Sequence, residues 1–327
     1  MITRRSFLGA LGASLTIPRL QAADLAFVTR EHQAGEWGSP VLDLHFHMRG
    51  TPAANLAHLD GAGIAKANLL TRATGAEQVA AVQAAAPGRF TWFASADVAQ
   101  PASIDALTQA VKSGARGFGE MKFHYATDGP EFRRAYALAA ELNVPIQIHF
   151  QEVDHTPNEG TWSPGFATKF EAVLKAFPKT TFIGHADAFW ANVSADYHNE
   201  SAYPAGPIVR GGITDRLLSD YPNLFGDLSA NSGNNMLSRD DTFTRDFLSR
   251  HQNKLMFGSD CGCSDGHGAG ISQGNNPAAA RLAGKCVARE TLTVVKRSAS
   301  DAVFRKITWD NVHKLLKIPQ STAQELA

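Results

Sequence analysis

From about residue 40 the chain alternates short, continuous apolar runs with Ala-rich stretches that read as helices. The runs at 41–47, 65–70, 90–98, 117–124, 145–150, 181–185, 224–228 and 255–259 have strand length and carry no internal Pro. Between several of them lie helical segments at 77–85, 104–113, 131–142 and 166–176. Strand-then-helix units repeated eight times are what an α/β chain needs to close a (β/α)8 TIM barrel, whose usual size is about 250 residues. An open doubly wound sheet gives similar alternation, but it normally carries a glycine-rich phosphate turn after its first strand. Here the first strand ends in His45-Phe46-His47 instead. No internal repeat or long Pro- or Ser-rich linker interrupts the pattern, so residues 40–318 read as one barrel, with an extension at 24–39 and a tail at 319–327. Two loops exceed ordinary βα length and are expected to shape a pocket: Asp187 to Gly211 and the Gly-rich tract from Gly262 to Asn276.

The first 23 residues have a different character: Arg4-Arg5, the run FLGALGASLTI, Pro18, then Ala22-Ala23. Those are the n-, h- and c-regions of a secretory signal. Thr3-Arg4-Arg5-Ser6-Phe7-Leu8 resembles the bacterial twin-arginine signal, whose pathway carries already folded proteins. The resemblance implies twin-arginine export machinery as a partner, a periplasmic or secreted destination and a cofactor loaded before export. The h-region is too short to span a bilayer, and no later stretch is apolar for long enough, so no membrane association is expected after cleavage.

Composition adds exclusions. Of 327 residues, 44% are hydrophobic and 19% charged, an ordinary globular balance. Lys plus Arg equals Asp plus Glu at 31 each, which removes the bulk electrostatic argument for nucleic acid or an anionic membrane, and no nucleic-acid partner is expected. Three cysteines, Cys261, Cys263 and Cys286, are too few for a disulfide framework, though one pair plus a free thiol is compatible. Cys261-Gly262-Cys263 lacks a matching second pair, so the sequence by itself makes a poor structural zinc site.

Side chains alternate along a strand, so Asp43, His45 and His47 are expected on one face and Leu44 and Phe46 on the other. Two imidazoles at that spacing can converge on one ion. His149 lies near the end of the fifth strand, His185 ends the sixth and Asp260 follows the eighth. Barrel enzymes gather their catalytic groups at these C-terminal ends. The set resembles the amidohydrolase superfamily: HxH on strand one, His on strands five and six, Asp on strand eight. Ile307-Thr308-Trp309-Asp310-Asn311-Val312-His313-Lys314-Leu315-Leu316 looks like that family's closing helix, so the likeness runs from about residue 40 to about 318. Gly258-Ser259-Asp260 and the His185 context look most like the amidohydrolase-2 branch, which holds hydrolases and some metal-dependent decarboxylases.

The resemblance implies a divalent metal held by His45, His47, Glu120, His149, His185 and Asp260, as one ion or two. Zn²⁺ is favoured, with Mn²⁺, Fe²⁺ or Ni²⁺ also compatible with such ligands. Strand four offers Glu120, Lys122 and His124 at alternate positions, and either Glu120 or a carboxylated Lys122 matches the bridging acid of two-metal relatives; otherwise Lys122 is an ion partner of Glu120. Hydrolysis of an amide, ester or lactone bond of a small-molecule substrate is the leading expectation, with Asp260 moving the proton and His185 binding a second metal or the substrate. Non-oxidative decarboxylation is the alternative, marked by one metal, an uncoordinated Glu120 and an Arg for the carboxylate, for which Arg210 is the candidate. A TatD-type nuclease and a catalytically inactive periplasmic binding barrel complete the set. Lys122, His124, Trp162 and Arg210 are substrate-contact candidates. Tyr203, Trp190, Glu152, Asp154, His155, Asn231 and Asn234 are weaker ones, and His267 is not expected to be a ligand.

Overall fold

The computed structural model describes residues 35–155, 158–271 and 277–318. The twin-arginine-type signal at 1–23, the extension up to residue 34 and the tail at 319–327 lie outside the described residues, as does the 272–276 end of the Gly-rich tract.

Eight parallel strands are hydrogen-bonded in chain order: β1 (Leu42–His47), β2 (Lys66–Arg72), β3 (Phe90–Ser95), β4 (Gly117–Met121), β5 (Ile146–His149), β6 (Phe182–His185), β7 (Leu224–Asp227) and β8 (Leu255–Met256). The last strand returns to the first. Leu44 N donates to Phe257 O at 3.0 Å and Asp260 N to His45 O at 2.8 Å, which closes the expected (β/α)8 barrel.

The helices are α1 (Pro52–Gly61), α2 (Ala76–Ala85), α3 (Ser103–Lys112), α4 (Pro130–Glu141), α5 (Phe166–Ala176), α6 (Asp187–Ala191), α7 (Ile213–Asp220), α8 (Ala230–Arg239), α9 (Asp241–Arg250), α10 (Val287–Ser298), α11 (Asp301–Arg305) and α12 (Asn311–Leu316). Local chemistry sets where they begin. Thr51 Oγ1 accepts from Ala54 N with Pro52 at the first helical position of α1, and Asp240 accepts from Thr242 N and Phe243 N to start α9. Among the described residues no helix is long and apolar enough to cross a membrane.

Strands β5 and β6 are buried at every position, as parallel strands covered on both faces must be. Phe150, Phe166, Phe170, Phe182 and Phe189 pack between barrel and helices, the Phe150 and Phe170 rings 4.7 Å apart. Trp309, Val312 and Leu316 pack on Leu42, Leu44, Phe93, Ile183 and Met256, the role expected of a closing helix.

Two strand readings are corrected. The β1–β2 register shifts between Asp43 and Phe46, so simple alternation fails there. Leu44 joins the apolar group under Trp309 while Phe46 joins the outer core, and they do not share a face. Asp43 Oδ1 instead accepts from His45 N at 3.0 Å and Ser259 N at 2.8 Å, with burial pushing its carboxyl up to about 7. In β4 regular pairing stops at Met121, three residues before the expected end, so His124 does not continue the inward row of Glu120 and Lys122.

Between α7 and the end of α9, Asp215 accepts from His251 Nε2 at 2.6 Å and from Arg250 at 2.6 and 3.0 Å. These partners outweigh its partial burial and hold it down to about 2, against an ordinary 3.8. The folded-state value is the lower one, so the stabilisation is complete above pH 3.8 and is lost as pH falls toward 2. Asp215→Ala strands the buried His251 and is expected to destabilise the barrel by about 1–3 kcal/mol at neutral pH, read from the urea midpoint. The deficit should shrink below pH 3.8; a deficit independent of pH would remove the electrostatic account.

Candidate metal centre

The C-terminal strand ends bring His45, His47, Glu120, His149, His185 and Asp260 together around one carboxylate. Glu120 Oε2 lies 3.4 Å from His47 Nε2. Its Oε1 touches His149 Nδ1 and lies 3.4 Å from His185 Nε2. Asp260 Oδ1 is 3.3 Å from His47 Nε2 and 3.7 Å from His45 Nε2, and its Oδ2 is 3.8 Å from His185 Nε2. Three overlapping donor groups result: His45, His47 and Glu120; Glu120, His149 and His185; His45, His185 and Asp260.

Partners behind the ring fix the imidazoles. His45 Nδ1 donates to Asp227 Oδ2 at 2.7 Å. His185 Nδ1 reaches Ser229 Oγ at 2.8 Å, and that hydroxyl donates to the same Asp227 oxygen at 2.7 Å. Gln147 Nε2 adds a donation to it at 2.9 Å. Both Nε2 atoms are thereby turned toward the centre. His149 is held the other way round, Nε2 against Gln151 Oε1 at 3.0 Å, which presents Nδ1. Gly258 permits the assembly, because a Cβ there would stand 2.3 Å from Asp227 Oδ1 and 2.8 Å from His45 Cβ.

Asp227, Ser229, Gln147 and Gln151 went unread in the sequence. Asp227 sits at the end of β7, the strand-end position of the other ligands, and that is its one sequence signal. Asp227→Asn keeps the shape and the bond from Trp190 Nε1 to the residue 227 carbonyl, but removes the charge that orients two imidazoles. We expect a 10–100-fold loss of metal affinity, roughly what such partners contribute elsewhere, measured by competition with a chromogenic chelator. Unchanged affinity would make Asp227 a packing residue.

The donor set fits a divalent cation. It combines imidazole and carboxylate, and His185 Nε2 is a buried atom without a hydrogen-bond partner among the described residues. Burial opposes charge on His47 and His185, yet Asp260 and Glu120 push His47 up to about 11, and Asp227 and Glu120 push His185 up to about 10. Against its own burial, Glu120 is held well below the carboxylate range by His149 and His185; Asp260 is likewise held down by His45 and His47. Protons thus sit where a cation would, and loading it releases them.

Beside these residues opens a cavity of about 430 Å³ lined in part by Lys122, His155, Asp187, Tyr203, Asn231 and Ile271. Both long loops contribute, as expected. Ala186, Ala230 and Asp260, each just past a strand on this rim, have φ of 78°, 63° and 46°. Left-handed backbone at non-glycine residues costs about 1–3 kcal/mol each and clusters at functional sites.

The other candidates separate. Lys122 lines the cavity with its ammonium 5.0 Å from the Trp162 ring centroid, not paired with Glu120. His124 is exposed, stacks on Trp162 at 3.6 Å and donates to Thr161 O, so neither ring is among the cavity's lining residues. Arg210 is exposed and pairs with Asp246 at 2.7 Å, away from the cavity. Trp190 is buried in the core, while Glu152 accepts from Gly165 N and Phe166 N at the start of α5. Asn234 accepts from Arg281, and His267 is exposed.

The Amidohydrolase family model, the amidohydrolase-2 branch, matches residues 26–318. The chain belongs to this amidohydrolase family. Among solved structures this amidohydrolase resembles a probable 2-pyrone-4,6-dicarboxylic acid hydrolase from Acinetobacter baumannii, with 11% identity and a TM-score of 0.56 over 85% of this chain and 99% of that one. It also resembles 5-carboxyvanillate decarboxylase from Sphingomonas paucimobilis, with 11% identity and a TM-score of 0.54 over 86% and 99%. Dihydroorotase from Campylobacter jejuni follows, with 16% identity and a TM-score of 0.51 over 86% and 84%. Likeness at such identities shows the shared barrel. No curated protein matches the sequence.

Proposed function

We propose that this amidohydrolase is a metal-dependent hydrolase that directs water at an amide, ester or lactone bond of a small molecule. The observation that carries the reading is the Glu120 carboxylate, one oxygen toward His47 and the other toward His149 and His185. A shared carboxylate between two histidine groups suits two cations, with His45 and His47 on one side and His149 and His185 on the other. A divalent cation held there supplies Lewis acidity toward a carbonyl and acidifies water.

The chain's own groups do the rest. Asp260 lines the cavity as an anion, positioned to take a proton from the attacking water and return it to the leaving group. Lys122 offers a cation to an electron-rich or anionic part of the substrate. Tyr203, whose burial raises its hydroxyl pKa, stays a neutral hydrogen-bonding wall. Decarboxylation is less well supported, since no Arg lines the cavity among the described residues.

The test is a panel of esters, lactones and amides run beside aromatic carboxylates, on enzyme stripped by chelator and then resupplied with a divalent metal. Metal-dependent hydrolysis is expected. Metal-dependent release of CO2 with no hydrolysis would overturn the proposal, and ligand binding without turnover would favour a binding barrel.

A further inference from the structure

Outside the histidine centre, four soft donors converge that the reaction above does not use. Cys261 and Cys263 follow β8, Cys286 is the N-cap of α10 and His58 lies on α1. All four are buried. Cys261 Sγ lies 3.3 Å from Cys263 Sγ and 3.8 Å from Cys286 Sγ, and His58 Nδ1 lies 3.4 Å from Cys263 Sγ. The four ligand atoms all fall within 4.8 Å of one another.

A tetrahedral zinc site has bonds of about 2.3 Å to sulfur and about 2.0–2.1 Å to nitrogen, which places its sulfurs about 3.8 Å apart and sulfur about 3.5 Å from nitrogen. The Cys261–Cys286 and Cys263–His58 separations match that pattern, the Cys261–Cys263 pair at 3.3 Å is about 0.5 Å shorter than it, and the remaining pairs lie within the 4.8 Å that encloses all four atoms. We propose that His58, Cys261, Cys263 and Cys286 form a second, structural metal site of the Cys3His type, taking one Zn²⁺ or a similar thiophilic divalent cation. The missing second pair of the Cys261-Gly262-Cys263 motif is supplied by His58 and Cys286, from two other elements of the fold.

The surroundings are built for it. Three thiolates and one divalent cation carry a net negative charge, and Arg49 lies against them, donating to Cys263 O at 2.6 Å and Cys261 O at 2.9 Å. The loop after Cys263 is tightly turned, with Gly268 N donating to Asp265 Oδ1 at 3.1 Å. Gly266 and Gly268 have positive φ, 73° and 117°, and a Cβ on either would stand 2.3 Å from backbone, so this turn beside the cluster admits no side chain. On loading, His58 Nδ1 gives up its 2.9 Å contact with Cys263 O and the thiol protons leave to solvent. One disulfide, in contrast, would engage two of the three thiols and leave the imidazole idle.

The site does not depend on which reaction the enzyme performs. It would join α1, just beyond His47, to the residue after Asp260 and to the start of α10. Gly270, Ile271 and Leu282, between Cys263 and Cys286, line the cavity, so the ion would hold that wall in place.

The test is Co²⁺ alone titrated into reduced, metal-stripped full-length protein. Sulfur-to-cobalt charge-transfer absorption in the near ultraviolet is expected to appear and to saturate once the cluster and the histidine centre are filled, a band that imidazole and carboxylate ligands cannot give. Cys263→Ser should lose the band, His58→Ala should shift it and His47→Ala should keep it. Should Cys263→Ser fail to fold, the wild-type spectrum and His58→Ala decide. No such band with all thiols reduced would overturn the proposal; so would a Cys261–Cys263 disulfide in the isolated protein with no thiolate-bound metal.

Discussion

Glu120→Gln is expected to lower kcat by about 10³-fold and to strip at least one ion from the histidine centre, the scale set by several kcal/mol of metal-derived stabilisation. The substitution keeps the length and planarity of the side chain and removes its charge. A carboxylate can accept from or coordinate on both sides at once, whereas an amide must aim its NH2 either at His47 or at His149 and His185. Whichever side receives the NH2 loses a ligand and gains a donor facing an imidazole lone pair. Two cations would then also lack the negative charge between them, so their mutual repulsion is less well offset. Metal per chain is measured as the difference between variant and wild type, in which any ion at the cysteine cluster cancels. A variant with full metal content and full activity would sink the two-ion reading. One with a single retained ion and intact activity would move the mechanism toward the one-metal members of the family.

Much of this centre was legible in the sequence because parallel strands deliver their ends to one rim. His45, His47, His149, His185 and Asp260 each follow an apolar run, and the alternation with helices says that those runs are parallel and closed. Finer readings failed where a local rule was interrupted. The register shift in β1 separates Leu44 from Phe46 and takes Asp43 into a backbone-capping role. Early termination of β4 leaves His124 outside the cavity. Asp227 offered a single acid on a short strand, and its meaning appears only when His45 and Ser229 are seen to share its oxygen. The cysteine cluster was unreadable for another reason. Its ligands come from α1, the loop after β8 and the start of α10, so no spacing in the chain announces it.

Asp260→Asn separates proton transfer from metal binding. Asp260 occupies a left-handed conformation with φ of 46°, which Asn adopts as readily as Asp, whereas Ala would add backbone strain to the loss of the carboxylate. The amide is therefore the clean probe, with a stable barrel expected. His45, His47, Glu120, His149 and His185 remain to hold metal, so the ion content should stay near that of the wild type. Turnover should fall by about 10²–10⁴-fold, the span that a positioned general base contributes. The alternative is that Asp260 acts only as a ligand, through the oxygen that faces His47 at 3.3 Å and His45 at 3.7 Å. In that case the variant loses metal, and added cation restores its rate. A metal-replete variant that stays slow at saturating cation is the result expected here; rescue by excess metal would move the base to another residue on the cavity wall.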